Sequence, residues 1–321
     1  MPIPDFERDL RDVILRSLPL SGKSAKGRSE LEIKPTSNLL ITYFNWKERY
    51  VHPHPRVIYR SRLLQASSLY SENIQAVEKL LSKIERGDLI DSHLSSGVRF
   101  GWEPGGKKSK RDFDLMLNDW GIHHLHLGDG VGRTGFVNRE RNSLQSDNLL
   151  AVIFRAGQAF ALDLIHHGEW AVKRLVETAV ESWPDSELFL SVQGIMPWQD
   201  KDDTNCIPLR NVGMPSPIVI GNGVYISSTV MSTARTTLQA AMRAKGTIRN
   251  LAYLESNLKD LELQSRNAAA HYGVEFPLIP EFRVVEASYP QWFGFAILEA
   301  SSKMIIGIHG NSVPTSRADD Q

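Results

Sequence analysis

Apolar residues recur at two different periods along this chain, and each change of period marks an element. Leu10, Val13, Ile14 and Leu18 fall at helical spacing over residues 6 to 18. Ile74, Val77, Leu80, Leu81 and Ile84 draw a second helical stripe, starting near the N-cap Ser71 and stopped by Gly87. Between them, "SGKSAKGRS" (21–29) reads as a flexible linker, and the β-branched and aromatic content of "NLLITYFNW" (38–46) predicts a strand. "HPHPR" ends that strand, because proline lacks a ladder donor and restricts its predecessor, and "RVIYR" follows as another.

The middle of the chain alternates more tightly. "RDFDLMLNDW" predicts one or two helical turns that deliver the chain into "GIHHLHLG" (121–128), a strand with three histidines in four positions. "LLAVIF" and "QAFALDLIHHG" are separated only by "RAGQ", a connection short enough to require an antiparallel hairpin. A helix from about 169 to 183, with Ala171, Leu175, Val176, Ala179 and Val180 on one side, is expected to pack on that hairpin. Residues 195 to 222, rich in proline, glycine and asparagine, predict a long connection, and "GVYISSTV" a strand. Leu238, Ala241, Met242, Ile248, Leu251, Leu254, Leu258 and Leu261 then space out a long helix over 232–272, with a kink at Gly246. "EFRVVEAS", "WFGFAILEA" and "KMIIGIHG" close the chain as strands, the last two forming a hairpin.

These elements predict an α+β fold: a central antiparallel sheet flanked by helices, with an N-terminal α/β module and a long C-terminal helix. The expected segments are 1–100, the N-terminal module; 101–194, the histidine-rich sheet and helix; 195–310, the connection, long helix and final strands; and 311–321, a disordered tail.

Composition narrows the chemistry. The 321 residues are 41% hydrophobic and 23% charged, with zero formal net charge, so no global bias toward nucleic acid or membrane follows. The first sixty residues lean basic, which leaves room for a local anion-binding surface. Cys206 is the only cysteine, which rules out an intramolecular disulfide and any zinc site built on paired cysteines, and fits a reducing compartment. The first twenty residues carry acids and no long apolar run, so neither a secretory signal nor a membrane anchor is expected there, and the expected location is cytoplasmic.

Strand alternation turns the histidines into geometry. In "IHHLHL", His123 shares a face with Leu125 and Leu127, while His124 and His126 point the other way. In "AFALDLIHH", Phe160, Leu162, Leu164 and His166 share one face and Asp163, Ile165 and His167 the other. If the leucine-rich faces both lie under the helix and the two strands are neighbours, His124, His126, Asp163 and His167 gather on one exposed sheet face. Two catalytic readings follow. A metal-independent endoribonuclease-like phosphodiesterase needs one group to take a proton, another to return it and cations to hold charge. Here His124, His126 and His167 are the candidates for proton transfer, with Arg133 and Arg155 on phosphate and Arg139 and Arg141 binding substrate. A metal-dependent hydrolase would instead use His124, His126, Asp163 and His167 to hold one divalent ion such as zinc or manganese. "NWKERYVHPHPR" adds Trp46 and Arg56, a ring and a guanidinium suited to stacking on RNA bases and gripping phosphates, although aromatics beside a strand are more often core. A third reading is a non-catalytic binding or assembly protein, in which the 232–272 helix mediates homo-oligomerisation.

The order of a helix, the "HHLHLG" strand, the arginine-containing loop "GRTGFVNRER", strand "LLAVIFR" and strand "QAFALDLIHHG" resembles the RelE/ParE-like toxin ribonucleases over residues 108–183. The resemblance implies a small antiparallel sheet flanked by helices and metal-free RNA cleavage by a toxin or defence effector. It also implies His126 or His167 as base and acid, with Arg133 and Arg155 binding phosphate.

Overall fold

The computed structural model describes residues 4–20, 25–104, 113–128, 130–137, 148–196, 206–289 and 292–307. The helices are α1 (Phe6–Ser17), α2 (Ala25–Glu32), α3 (Thr36–Lys47), α4 (Arg62–Ala66), α5 (Ser68–Arg86), α6 (Leu115–Trp120), α7 (Arg174–Ser182), α8 (Cys206–Asn211), α9 (Leu238–Ser256) and α10 (Leu258–Tyr272). The strands are β1 (Val57–Arg60), β2 (Ile122–His126), β3 (Asn148–Arg155), β4 (Gln158–His166), β5 (Phe189–Ser191), β6 (Ile218–Ile220), β7 (Gly223–Ser227), β8 (Phe282–Tyr289), β9 (Trp292–Glu299) and β10 (Ile305–Gly307). The fold is α+β. Among the described residues, no helix is long and apolar enough to cross a membrane.

The chain groups into two compact units, residues 1–44 with 240–321 and residues 45–239, and these cut across the sequential segments expected from composition. In the first unit, β8, β9 and β10 form an antiparallel sheet in the order β10-β9-β8. Its aromatic core brings Tyr43 and Phe44 of α3 against Phe295 of β9, at ring separations of 4.9 and 5.9 Å. Glu286 of β8 accepts hydrogen bonds from Tyr43 Oη (2.8 Å) and Ser17 Oγ (2.6 Å). Burial and the Glu286 carboxylate push the Tyr43 phenol well above its ordinary range, so it stays a neutral donor.

Three expectations fail in this region. Residues 38–46 are helical, not a strand: Leu39, Leu40, Tyr43 and Phe44 are all buried, and their i, i+1, i+4, i+5 spacing suits one helix face. A short continuous apolar run does not distinguish the two states by periodicity alone, and packing decided. The expected linker is helical from Ala25, with Leu31 fully buried as its anchor; residues 21–24 lie outside the described residues. The long C-terminal helix is two helices, and the break falls at Asn257, not Gly246, which lies inside α9. At that break Ser256 Oγ and Asn257 Nδ2 donate to the carbonyls of Ala252 and Tyr253, competing with the helical ladder. The 311–321 tail lies outside the described residues.

The second unit is built on a sheet of order β1-β4-β3-β2, with β2, β3 and β4 antiparallel as predicted and β1 added parallel to β4. Both faces are covered. Leu125, Leu150, Val152, Ala159, Ala161 and Leu164 pack with Val77, Leu80, Leu81 and Ile84 of α5. On the other face, Ile122, Leu149, Ala151, Ile153, Phe160, Leu162 and Ile165 pack with Leu175, Val176 and Ala179 of α7 and with Met116 and Trp120 of α6. Gly87 ends α5 with φ +79°, the left-handed cap the sequence predicted. The 195–222 connection holds α8 and β6, and β6 joins a small antiparallel sheet of order β5-β7-β6.

A β-bulge corrects the alternation argument. Ala151 pairs with Asp163, yet its neighbour Val152 pairs with Ala161, so Leu162 is an extra residue on β4. Strict alternation would set Leu162 and Asp163 on opposite faces. With the bulge, Phe160, Leu162, Asp163 and Ile165 share the α7 face, while Leu164 turns to the α5 face. The α7 helix therefore packs on the face that carries His124 and His126: His126 and Asp163 are buried there, His124 is half-buried, and His167, just past the strand end, is exposed.

Candidate active site

β2 supplies the first imidazole. α6 begins at Asp114, whose Oδ1 accepts from the backbone N–H of Leu117 at 3.0 Å, a helix N-cap. It ends at Gly121 with φ +71°, where a Cβ would come within 2.8 Å of Thr229 Oγ1, so only glycine makes this turn without strain. The turn feeds directly into β2 and brings His124 back to the start of α6. His124 Nδ1 lies 3.5 Å from the other oxygen of Asp114, an ion-pair distance longer than a hydrogen bond. One carboxylate thus caps the helix and orients the imidazole.

The end of β4 supplies the second. A tight turn follows the strand: Trp170 N–H donates to Gly168 O (2.9 Å), and Glu169 Oε2 accepts from His166 N–H (2.8 Å). It places His167 beside Trp170, with ring centroids 5.0 Å apart, and Trp170 lies 4.8 Å from His124. The indole therefore touches both imidazoles. A cavity of about 580 Å³ opens onto this group, lined by His124, His167, Trp170, Asp114, Arg49 and Arg210, with Phe113, Met116 and Ile207 adding apolar wall. Its mixture of aromatic surface and a few polar groups suits a ligand with a flat ring and a charged head.

Two arginines reach this cavity. Arg49 donates its terminal nitrogens to the carbonyls of Gly97 and Phe100. Arg210, only 3% exposed, pairs with the buried Asp119 of α6 at 2.7 Å through Nε. Its Nη1 donates to Trp170 O, and its guanidinium lies 3.9 Å from the Trp120 ring centroid. The Arg210–Asp119 pair joins α8 to α6, and the Trp170 carbonyl ties both to the turn that carries His167.

The predicted site residues distribute unevenly. His124 and His167 line the cavity. His126 lies between them, at ring separations of 6.1 and 6.4 Å, but is 2% exposed and forms no part of the lining. His123 faces the α5 side against Phe154 (5.3 Å), and burial lowers its pKa to about 4, so it is neutral at neutral pH. Asp163 is held by Arg174 Nε (2.8 Å) and by the backbone N–H of Leu164 (2.8 Å), and two strand spacings separate it from His124 in the β2-β3-β4 register. The set His124, His126, Asp163 and His167 does not assemble as metal ligands: among the described residues, no group of three or more His, Cys, Asp or Glu side chains could hold a metal ion.

The expected substrate contacts are mostly elsewhere. Arg155 pairs with Gln158 at the hairpin end of β3, whereas His126 pairs with Leu149 near the other end, six residues or roughly 20 Å along the strand. Arg155 donates to Ser228 Oγ instead (2.5 Å). Arg133 is exposed on the turn 131–137, away from the cavity lining. Trp46 is buried, its indole N–H donating to Val98 O (2.8 Å), and Arg56 is buried with its terminal nitrogens on the carbonyls of His52 (2.8 Å) and His54 (3.1 Å). Neither is free to grip RNA. Arg139 and Arg141 lie outside the described residues.

Sequence reasoning missed Asp114, Trp170, Arg49 and Arg210. Asp114 had a signal, an aspartate just before an apolar helical turn, and Trp170 follows the second histidine pair within three residues. Arg210 had none, since its place depends on a buried partner 91 residues away. Comparison with known families, curated proteins and solved structures returns no match for this chain.

Proposed function

We propose that the protein is a metal-independent phosphodiesterase that cleaves RNA by histidine acid–base catalysis, acting in the cytoplasm as a toxin or defence effector. The single observation that carries this reading is that His124, in the middle of β2, and His167, just past the end of β4, open onto one cavity and contact the same indole. Internal transfer at an RNA phosphate needs one neutral imidazole and one imidazolium on a common substrate, and imidazole as a class exchanges protons near neutrality.

His124 is assigned as the base that takes the 2′-hydroxyl proton, because the Asp114 carboxylate stands behind its Nδ1 and leaves the other ring nitrogen for the substrate. The 2′-oxygen then bonds to phosphorus as the bond from phosphorus to the 5′-oxygen breaks. His167 gives its proton to that leaving oxygen, and the products are a 2′,3′-cyclic phosphate and a 5′-hydroxyl. The Phe113 and Trp170 rings give the flanking bases apolar surface to stack on. Replacing His124 or His167 by alanine is expected to lower RNA cleavage by about 100-fold or more with the fold intact, as assayed by cleavage of a labelled oligoribonucleotide and by circular dichroism. Full activity in either variant removes the reading.

A further inference from the structure

We infer that Arg210 is the anchor of an oxyanion subsite in this cavity, with a phosphate group as its ligand. Burying a guanidinium is tolerated when each of its nitrogens finds an acceptor, and here one nitrogen does not. Nε goes to Asp119 and Nη1 to the Trp170 carbonyl, but Nη2 is buried with no hydrogen-bond partner among the described residues, on a side chain that is only 3% exposed and lines the cavity. An unmet buried donor carries a cost that a bound acceptor removes, and it is stronger with a charged acceptor. The surroundings hold the group in place: Asp119 is itself fixed by the backbone N–H of Ser216 (3.0 Å), and the Trp120 face supports the guanidinium plane. The remaining donor therefore cannot turn away to find a partner elsewhere.

Two features favour phosphate over other anions. The guanidinium geometry matches tetrahedral phosphate oxygens, and the same cavity carries two imidazoles, which add donors and positive charge when protonated. Arg49 is a poorer anchor, because both of its terminal nitrogens already serve the Gly97 and Phe100 carbonyls. As the seat of a scissile phosphate this assignment rests on the RNA-cleavage reading; as an anion site it stands apart from it.

The test is titration of the full chain with inorganic phosphate and with a 2′-deoxy dinucleotide, which carries a phosphodiester but no 2′-hydroxyl to attack. Calorimetry gives the affinities, and the Arg210 Nε–H resonance is followed by NMR. Both probes are expected to bind wild-type protein and to move that resonance. Arg210→Lys is expected to weaken both by about tenfold or more, because a point charge on a flexible stem cannot serve Asp119, the Trp170 carbonyl and a ligand together. The pair Arg210→Gln with Asp119→Asn, which leaves no buried charge unpaired, is expected to abolish binding. If that pair does not fold, the lysine variant and the wild-type resonance decide. No binding of either probe to wild type, equal binding in the lysine variant, or a resonance unmoved at saturation overturns the assignment. Arginine-dependent phosphate binding in a protein that cuts no RNA leaves the subsite standing and removes the RNA reading alone.

Discussion

His123 is one residue from a cavity histidine and faces the opposite side of the sheet, and that single step reverses its chemistry. Burial is the largest cause of its lowered pKa, with the Asp114 carboxylate opposing and His124 and Arg56 adding to the shift. The folded value of about 4 lies below the ordinary histidine value of 6.5, so as pH falls from 6.5 the unfolded chain takes up a proton that the folded chain refuses. Stability is unaffected by this group above about pH 6.5 and declines toward pH 4, at about 1.4 kcal/mol per unit and about 3 kcal/mol in all. Denaturant unfolding at several pH values is expected to show this slope in wild type and a flatter one in His123→Leu. Equal slopes would mean that His123 is already charged in the fold. Legibility at this scale was partial for a physical reason. Which strand residues face together follows from the backbone period, so His124 and His167 were found, whereas burial depends on what packs over the face. The packing that buries His126 and the arginine that takes Asp163 are tertiary facts with no local signature.

Elements were legible wherever one strong local signal agreed with packing. The α5 stripe, its glycine stop and the β3–β4 hairpin are cases of that agreement. Residues 38–46 show the opposite, since side chains that favour strands were recruited into a helix by the aromatic core of the first unit. Gly87 allows a quantitative check of the helix stop. A Cβ there would lie 2.4 Å from the His54 carbonyl carbon and 2.5 Å from the Pro55 nitrogen, both backbone atoms, in addition to the left-handed conformation itself. Gly87→Ala is therefore expected to cost about 2 kcal/mol or more, measured by thermal or denaturant unfolding. An unchanged midpoint would show that the 52–56 turn moves freely, in conflict with the Arg56 bonds that hold its carbonyls.

The whole molecule is organised by chain topology: residues 45–239 form an uninterrupted unit, while the other unit needs both ends of the chain. Composition could not reveal this, because discontinuity leaves no mark on any single stretch. It leads to an asymmetric expectation. A fragment spanning 45–239 should unfold cooperatively by circular dichroism and keep the cavity, since every residue that lines it lies within those bounds. A fragment of 240–321 alone should not, for Glu286 would lose Tyr43 and Ser17 and Phe295 its aromatic neighbours. The reverse outcome would mean that the two groupings are not independent folding units.

Leu162 has no chemistry of its own, yet the address of His167 depends on it. Because β4 holds one residue more than its partner requires, everything downstream is out of phase with everything upstream. Flattening the bulge with that leucine kept would, with the upstream half anchored by β1 and the hairpin, turn the downstream half over and carry the second imidazole out of the pocket with every atom of its own side chain intact. Excising the leucine would instead restore strict pairing, Ala161 with Val152 and Asp163 with Ala151, and leave both halves facing as they do now.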